Sequence, residues 1–214
     1  MTAAKAAVEQ MKLAHRTSRC AEVIGEVTPG ATVHAISAGE WSAHDMIVHL
    51  LGHAAPAELW AASWAVSDSA LHALIKAREA GQLTTIQMLL DWRVTVRNPK
   101  AVQLAKSTAD RIRVSSCHAK LYVLRGARSY TISTSANLTN NPRLENYVIS
   151  ESREIADFHV RWLNAELRGG KPFEKEKSIL DLIAAGADPM LAPIDLEESD
   201  RKDRENRKRV ENQW

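Results

Sequence analysis

Between Cys117 and Ile149 the chain carries a histidine and a lysine two positions apart (His118, Lys120), then a serine and an asparagine two positions apart (Ser135, Asn137), then a glutamate, Glu145. An imidazole can attack phosphorus, a lysine can offset charge on non-bridging oxygens, and hydroxyl and amide donors can hold those oxygens in place. Such groups on one surface suit a tetrahedral oxyanion, above all a phosphodiester, and the scheme requires no metal or other cofactor. Glu145 is spaced to lie on the strand that follows, where a carboxylate can fix the tautomer and orientation of an imidazole.

The elements that must position these groups are short. Apolar, β-branched runs at 121–124 and 130–132, with Gly126 between them, predict two strands and a turn. Residues i and i+2 of a strand share a face, so His118 and Lys120 point one way while Ala119, Leu121 and Val123 face the core. Ser133, Ser135 and Asn137 share a face by the same rule. A two-residue Gly126–Ala127 loop places His118 opposite Ser135, and a four-residue loop places it opposite Asn137. A three-residue loop without a bulge would separate the two sets.

The ordered set His118-Ala119-Lys120, Ser135-Ala136-Asn137 and Glu145 resembles the H-x-K-x4-D, G-S-x-N, E signature of the phospholipase D superfamily. The match is close over Cys117–Ile149 and loose over Ala31–Gly169. The resemblance implies that His118 becomes a covalent phosphohistidine, that a second histidine protonates the leaving group, and that no metal takes part. This chain departs from the pattern at Arg125, where the family has Asp, and at Thr134, where it has Gly. The first departure bears on local structure and full activity, and the second adds bulk beside the pocket. The other histidines (15, 34, 44, 49, 53, 72, 159) have no lysine two positions later. A reaction that needs two such motifs therefore implies a two-fold homodimer joining both at its axis.

Charge is distributed unevenly. The window 93–128 holds nine basic residues and one acid, a balance of +8 against +2 for the whole chain, so the remainder sums to −6. A positive field around the motif favours polyanions such as DNA or RNA, with salt-sensitive binding; the same cations can also pair with acids elsewhere or solvate strand edges. Arg113, Arg125 and Arg128 are candidate phosphate contacts within it, and Arg125 also fits an edge-strand charge. The first 28 residues carry Lys5, Glu9, Lys12, Arg16 and Arg19 without a long apolar run, unlike a secretory signal. No stretch has the length of apolar residues a membrane span needs. Cys20 and Cys117 form neither a disulfide framework nor a zinc spacing. These features point to a cytoplasmic protein without a membrane partner.

Along the chain, Ala-rich residues 3–25 predict a helix, 32–36 a strand, and 43–54 a helix capped by Ser42. That helix carries His49 and His53 at i and i+4, a spacing open to a metal, but Leu50 stands where a zinc protease has its Glu and a surface or packed pair is the expectation. The alternation of Trp60, Ala62, Trp64 and Val66 predicts a strand with one bulky core face, although tryptophans beside a basic window also suit base stacking. A helix from Asp68, a strand at 84–92, a helix opened by Asn98-Pro99, a strand at 111–115 and a helix at 153–167 complete the order. The expected fold is α/β, a mixed sheet between helices in the manner of half a phospholipase D-like unit. An N-terminal helix (1–28) precedes the main domain (29–170), and a helical extension with a charged tail (171–214) follows it. The functional expectation is a metal-independent phosphodiesterase, a nuclease. The alternative is a nucleic-acid-binding module with a degenerate site.

Overall fold

The computed structural model describes residues 8–13, 19–140, 143–169 and 171–172, the last pair by its backbone. The expected C-terminal helix and charged tail lie outside the described residues. The strands are β1 (Val8–Leu13), β2 (Ala31–Ser37), β3 (Ala57–Ser63), β4 (Leu83–Asp91), β5 (Arg111–Ser115), β6 (Leu121–Arg125), β7 (Ser129–Thr134), β8 (Glu145–Glu151) and the two-residue β9 (Lys171–Pro172). The helices are α1 (Cys20–Ile24), α2 (Ala43–Ala54), α3 (Asp68–Glu79), α4 (Val94–Arg97), α5 (Pro99–Thr108) and α6 (Arg153–Gly169).

All nine strands join one sheet in the order β1-β2-β8-β7-β6-β3-β4-β5-β9. Pairs β1–β2, β3–β4 and β4–β5 are parallel and the others antiparallel, so the sheet is mixed and the expected α/β class holds. Helices cover both faces, which is why the central strands are apolar on both sides. Leu59 and Ala61 of β3 enter a large core shared with α2, α3 and α5, whereas Trp60 and Ala62 enter a smaller one beneath α6. Four α6 side chains at helical spacing, Ala156, Val160, Leu163 and Leu167, are buried there. Each larger aliphatic among them contributes about 1.5–3 kcal/mol on burial.

The helix starts follow local chemistry. Ser42 caps α2 in a reciprocal box with Asp45, and the Asn98 side chain accepts the Ala101 N–H at 3.1 Å with Pro99 in the first turn of α5. Ser67, rather than Asp68, caps α3. The His49 ring bonds the Gly25 carbonyl at 2.7 Å, tying α2 to the end of α1.

The helix expected over 3–25 is corrected in its described part. Val8–Leu13 forms an edge strand parallel to β2, and only Cys20–Ile24 is helical. Here a row of backbone hydrogen bonds to β2 outweighs the modest helix preference of Glu9, Gln10, Met11 and Lys12.

The β6–β7 hairpin settles the loop parity. Arg125 pairs with Ser129, leaving a three-residue loop, 126–128, with no bulge in the ladder. A Cβ on Gly126 would lie 2.0 Å from the Ala54 carbonyl oxygen, so only glycine lets this turn pack against the end of α2. At the other end of the hairpin the carboxyl ends of β2, β3, β4, β5 and β7 meet the amino ends of β6 and β8. In open α/β sheets that edge is where ligands bind.

Candidate active site

An open cleft of about 650 Å³ lies at that edge, and its lining includes His118, Lys120, Ser135 and Asn137. Strict alternation through a three-residue hairpin would have put His118 against Ala136 and divided the set. The residues gather because they lie beyond the paired strands. Residues 116–120 precede β6 and 135–137 follow β7, so both segments are free of the pleat. One backbone bond, Thr134 N–H to the Lys120 carbonyl at 3.2 Å, joins them where the ladder stops.

His118 is exposed, and its Nε2 lies 3.3 Å from Lys120 Nζ, which also donates to the His118 carbonyl at 3.1 Å. An ammonium only donates, so in this contact the Nε2 lone pair accepts from Lys120 and the ring proton sits on Nδ1. That is the tautomer a nucleophilic imidazole needs. Burial holds Lys120 below the ordinary lysine range, opposed by negative charge at Cys117, Glu145 and Asp91.

The 135–138 loop is clamped from below. Ser63, at the end of β3 and fully buried, accepts the Leu138 N–H at 2.9 Å and donates to the Ala65 carbonyl at 2.7 Å. Tyr122 donates to the Ala136 carbonyl at 3.0 Å. Asn137 lines the cleft, with its Oδ1 buried and without a hydrogen-bond partner.

Ser135 and Glu145, both expected at the site, bond each other. The Ser135 hydroxyl donates to the Glu145 carboxylate and accepts the Asn146 N–H, so its single hydrogen is already committed. Glu145 holds Ser135, while the His118 imidazole bonds Lys120. Thr134 lines the cleft, and its hydroxyl donates to the Asn146 carbonyl and accepts the Ala136 N–H, bracing the exit from β7.

The arginines chosen from the sequence stand elsewhere. Arg125 lies at the far end of β6, paired with Asp157 of α6 at 3.3 Å. Arg128 bonds Glu26, Glu151 and the Val27 carbonyl, and Arg113 donates to the Ile112 carbonyl at 3.0 Å. None of the three lines the cleft. The reason is the hairpin, which carries Arg125 and Arg128 to the end opposite His118.

Trp64, which the sequence offered as a core or base-stacking residue, lines it, as do His159 and Trp162, which sequence reasoning missed. The Trp162 indole N–H donates to His159 Nδ1 at 2.9 Å, so that nitrogen accepts and the ring proton sits on Nε2. Burial pushes His159 below its ordinary value. No signal short of the strand order places α6 over this cleft.

No protein-family model matches the sequence, and no curated protein does. Solved structures do match in shape. Nuc from Salmonella typhimurium, a phospholipase D family member, is 18% identical with a TM-score of 0.51 over 67% of this chain and 98% of its own. NucT from Helicobacter pylori is 11% identical with a TM-score of 0.53 over 66% of this chain and 99% of its own. Polyphosphate kinase from Porphyromonas gingivalis is 14% identical with a TM-score of 0.50 over 68% of this chain and 27% of its own. The mixed sheet that carries His118, Lys120, Ser135 and Asn137 to one edge thus has the fold of the phospholipase D superfamily.

Proposed function

We propose that the chain is a phosphodiesterase of nucleic acid that works as a homodimer, with His118 as its nucleophile. The observation that carries this reading is that His118, Lys120 and Asn137 line one open cleft, with His118 Nε2 3.3 Å from Lys120 Nζ. Nε2 attacks phosphorus while Lys120 and the Asn137 amide hold the non-bridging oxygens. The P–O bond to the leaving nucleoside breaks, and the departing oxygen takes a proton from His118 of the partner subunit. Water then attacks the phosphohistidine, gives its proton back to that second imidazole, and releases a phosphomonoester with free His118. No step needs a metal.

His159 is poorly suited to be the acid. Protonating its Nδ1 would place two N–H groups face to face with Trp162, so it serves better as a neutral donor from Nε2. In this reading the acid is His118 of a second copy of the chain, whose Nε2 is released for a proton once its Lys120 turns to the phosphate. The sheet face beside the cleft is open to it: α6 packs on β3 to β7, and Met11, Leu13 and Ile36 stand 86%, 67% and 40% exposed on β1 and β2.

Cleavage of labelled single- and double-stranded DNA and RNA in excess EDTA tests the reading. Wild type should cut at least one substrate, and His118→Ala should cut none. Salt-sensitive binding without cleavage of any substrate would replace the enzyme with a binding module.

A further inference from the structure

The basic window lends three cations to one tryptophan, and two of them, Arg93 and Arg97, are unused by this mechanism. Trp64 follows the last residue of β3 into the cleft, half-buried, with the His118 ring edge-on at 5.9 Å. Three cations gather on that indole. Arg97 Cζ lies 4.7 Å from the ring centroid, Arg93 Cζ 5.5 Å and Lys120 Nζ 5.9 Å. They are not equivalent. Asp91, fully buried, receives Arg93 Nε at 2.7 Å and Nη2 at 3.3 Å, so Arg93 is neutralised and held in place. Arg97, at the end of α4, is exposed, and among the described residues it has no carboxylate partner.

Like charges gathered at one ring repel unless an anion lies between them. A phosphodiester at His118 satisfies Lys120 and leaves Arg97 over. With Arg97 Cζ 4.7 Å and Lys120 Nζ 5.9 Å from one centroid, the two cations stand no farther apart than the sum of those distances, close enough to serve neighbouring phosphates of one strand. An indole among cations is also the arrangement that receives a base and its phosphate together, because every base has a stacking face.

Resting on the phosphodiesterase reading of the cleft, we infer that Trp64 and Arg97 form a subsite for the nucleotide beside the scissile phosphate. Trp64 stacks an unpaired base, and Arg97 holds the phosphate of that nucleotide. A base within a duplex is already stacked on both sides, so the subsite selects single-stranded nucleic acid.

Binding tests this without relying on turnover. The His118→Ala protein is titrated with labelled oligothymidine, with an abasic oligomer of equal length, and with duplex, across a salt series. Trp64→Leu in that background should weaken oligothymidine about tenfold while leaving the abasic oligomer unchanged, and Trp64→Phe should restore most of the loss. Arg97→Ala should weaken both oligomers and lower the salt slope by about 0.7, and Arg97→Lys should recover the slope. Equal affinity for oligothymidine in all variants overturns the subsite, as does a wild-type preference for duplex. A protein that binds in this pattern yet cuts nothing in EDTA would retain the subsite and lose the enzyme.

Discussion

The Ser135 hydroxyl bridges Glu145 and the Asn146 N–H, donating to the carboxylate and accepting from the backbone. It therefore fixes a negative charge near Lys120 instead of offering its hydrogen to substrate. Burial depresses Lys120, and Glu145 is among the charges that oppose the depression. Removing that charge must lower the lysine further. Glu145→Gln, which keeps an acceptor for Ser135, should move the alkaline limb of the cleavage profile to lower pH while leaving the acid limb in place. A limb that stays put would show that Glu145 acts on Ser135 alone.

His44 supplies a second pH dependence, this one in stability. It sits in the first turn of α2, 8% exposed, with its Nδ1 2.7 Å from the Ser42 hydroxyl. Burial pushes its pKa down, partly opposed by Asp45, and a helix N-terminus also disfavours a cation. The unfolded chain then binds a proton more readily than the folded one. Stability is fully present above the ordinary histidine value and falls as pH drops through it toward the lowered folded value. Urea midpoints measured between pH 7.5 and 5 should decline in wild type, and His44→Gln should flatten that part of the decline.

Much of this architecture is legible in residue pattern because local chemistry fixes it. Ser42 with Asp45, Asn98 with Pro99, and the spacing of Ala156, Val160, Leu163 and Leu167 each announce an element where it occurs. Val8–Leu13 was not legible, since its strand exists only through pairing with β2, a long-range contact. The cleft was legible for a reason other than alternation. His118 and Asn137 meet because the ladder ends before them, not because the loop has an even length. Choosing Arg125 and Arg128 over Arg93 and Arg97 came from proximity in sequence, whereas the order β6-β3-β4 sets which cations are near in space.

The displaced arginines give a prediction that separates charge from position. Arg128 has a side chain 18% exposed and joins Glu26, Glu151 and the Val27 carbonyl across the foot of the hairpin. Arg128→Ala leaves Glu151, 14% exposed, without that partner and should lower stability by about 1.5–3 kcal/mol in urea. Oligonucleotide affinity and its salt slope should not change. A reduced slope would return Arg128 to the binding surface.

Ser63 lies outside the cleft yet determines where Asn137 stands. Its hydroxyl accepts the Leu138 N–H at 2.9 Å and donates to the Ala65 carbonyl at 2.7 Å, so one buried atom fixes the chain just after Trp64 and just after Asn137. Ser63→Ala leaves the buried Leu138 N–H and the part-buried Ala65 carbonyl without this partner, a loss of about 1–3 kcal/mol. Val66 and Ser67 still hold Leu138, through the isolated bridge and the Ser67 N–H at 3.0 Å, so the fold should survive. A loosened Asn137 binds the phosphate less tightly in the transition state than a fixed one, so kcat should fall more than KM rises. Ser63→Thr, which keeps the hydroxyl, should recover part of kcat. Equal changes in kcat and KM across both variants would instead assign Ser63 to packing alone.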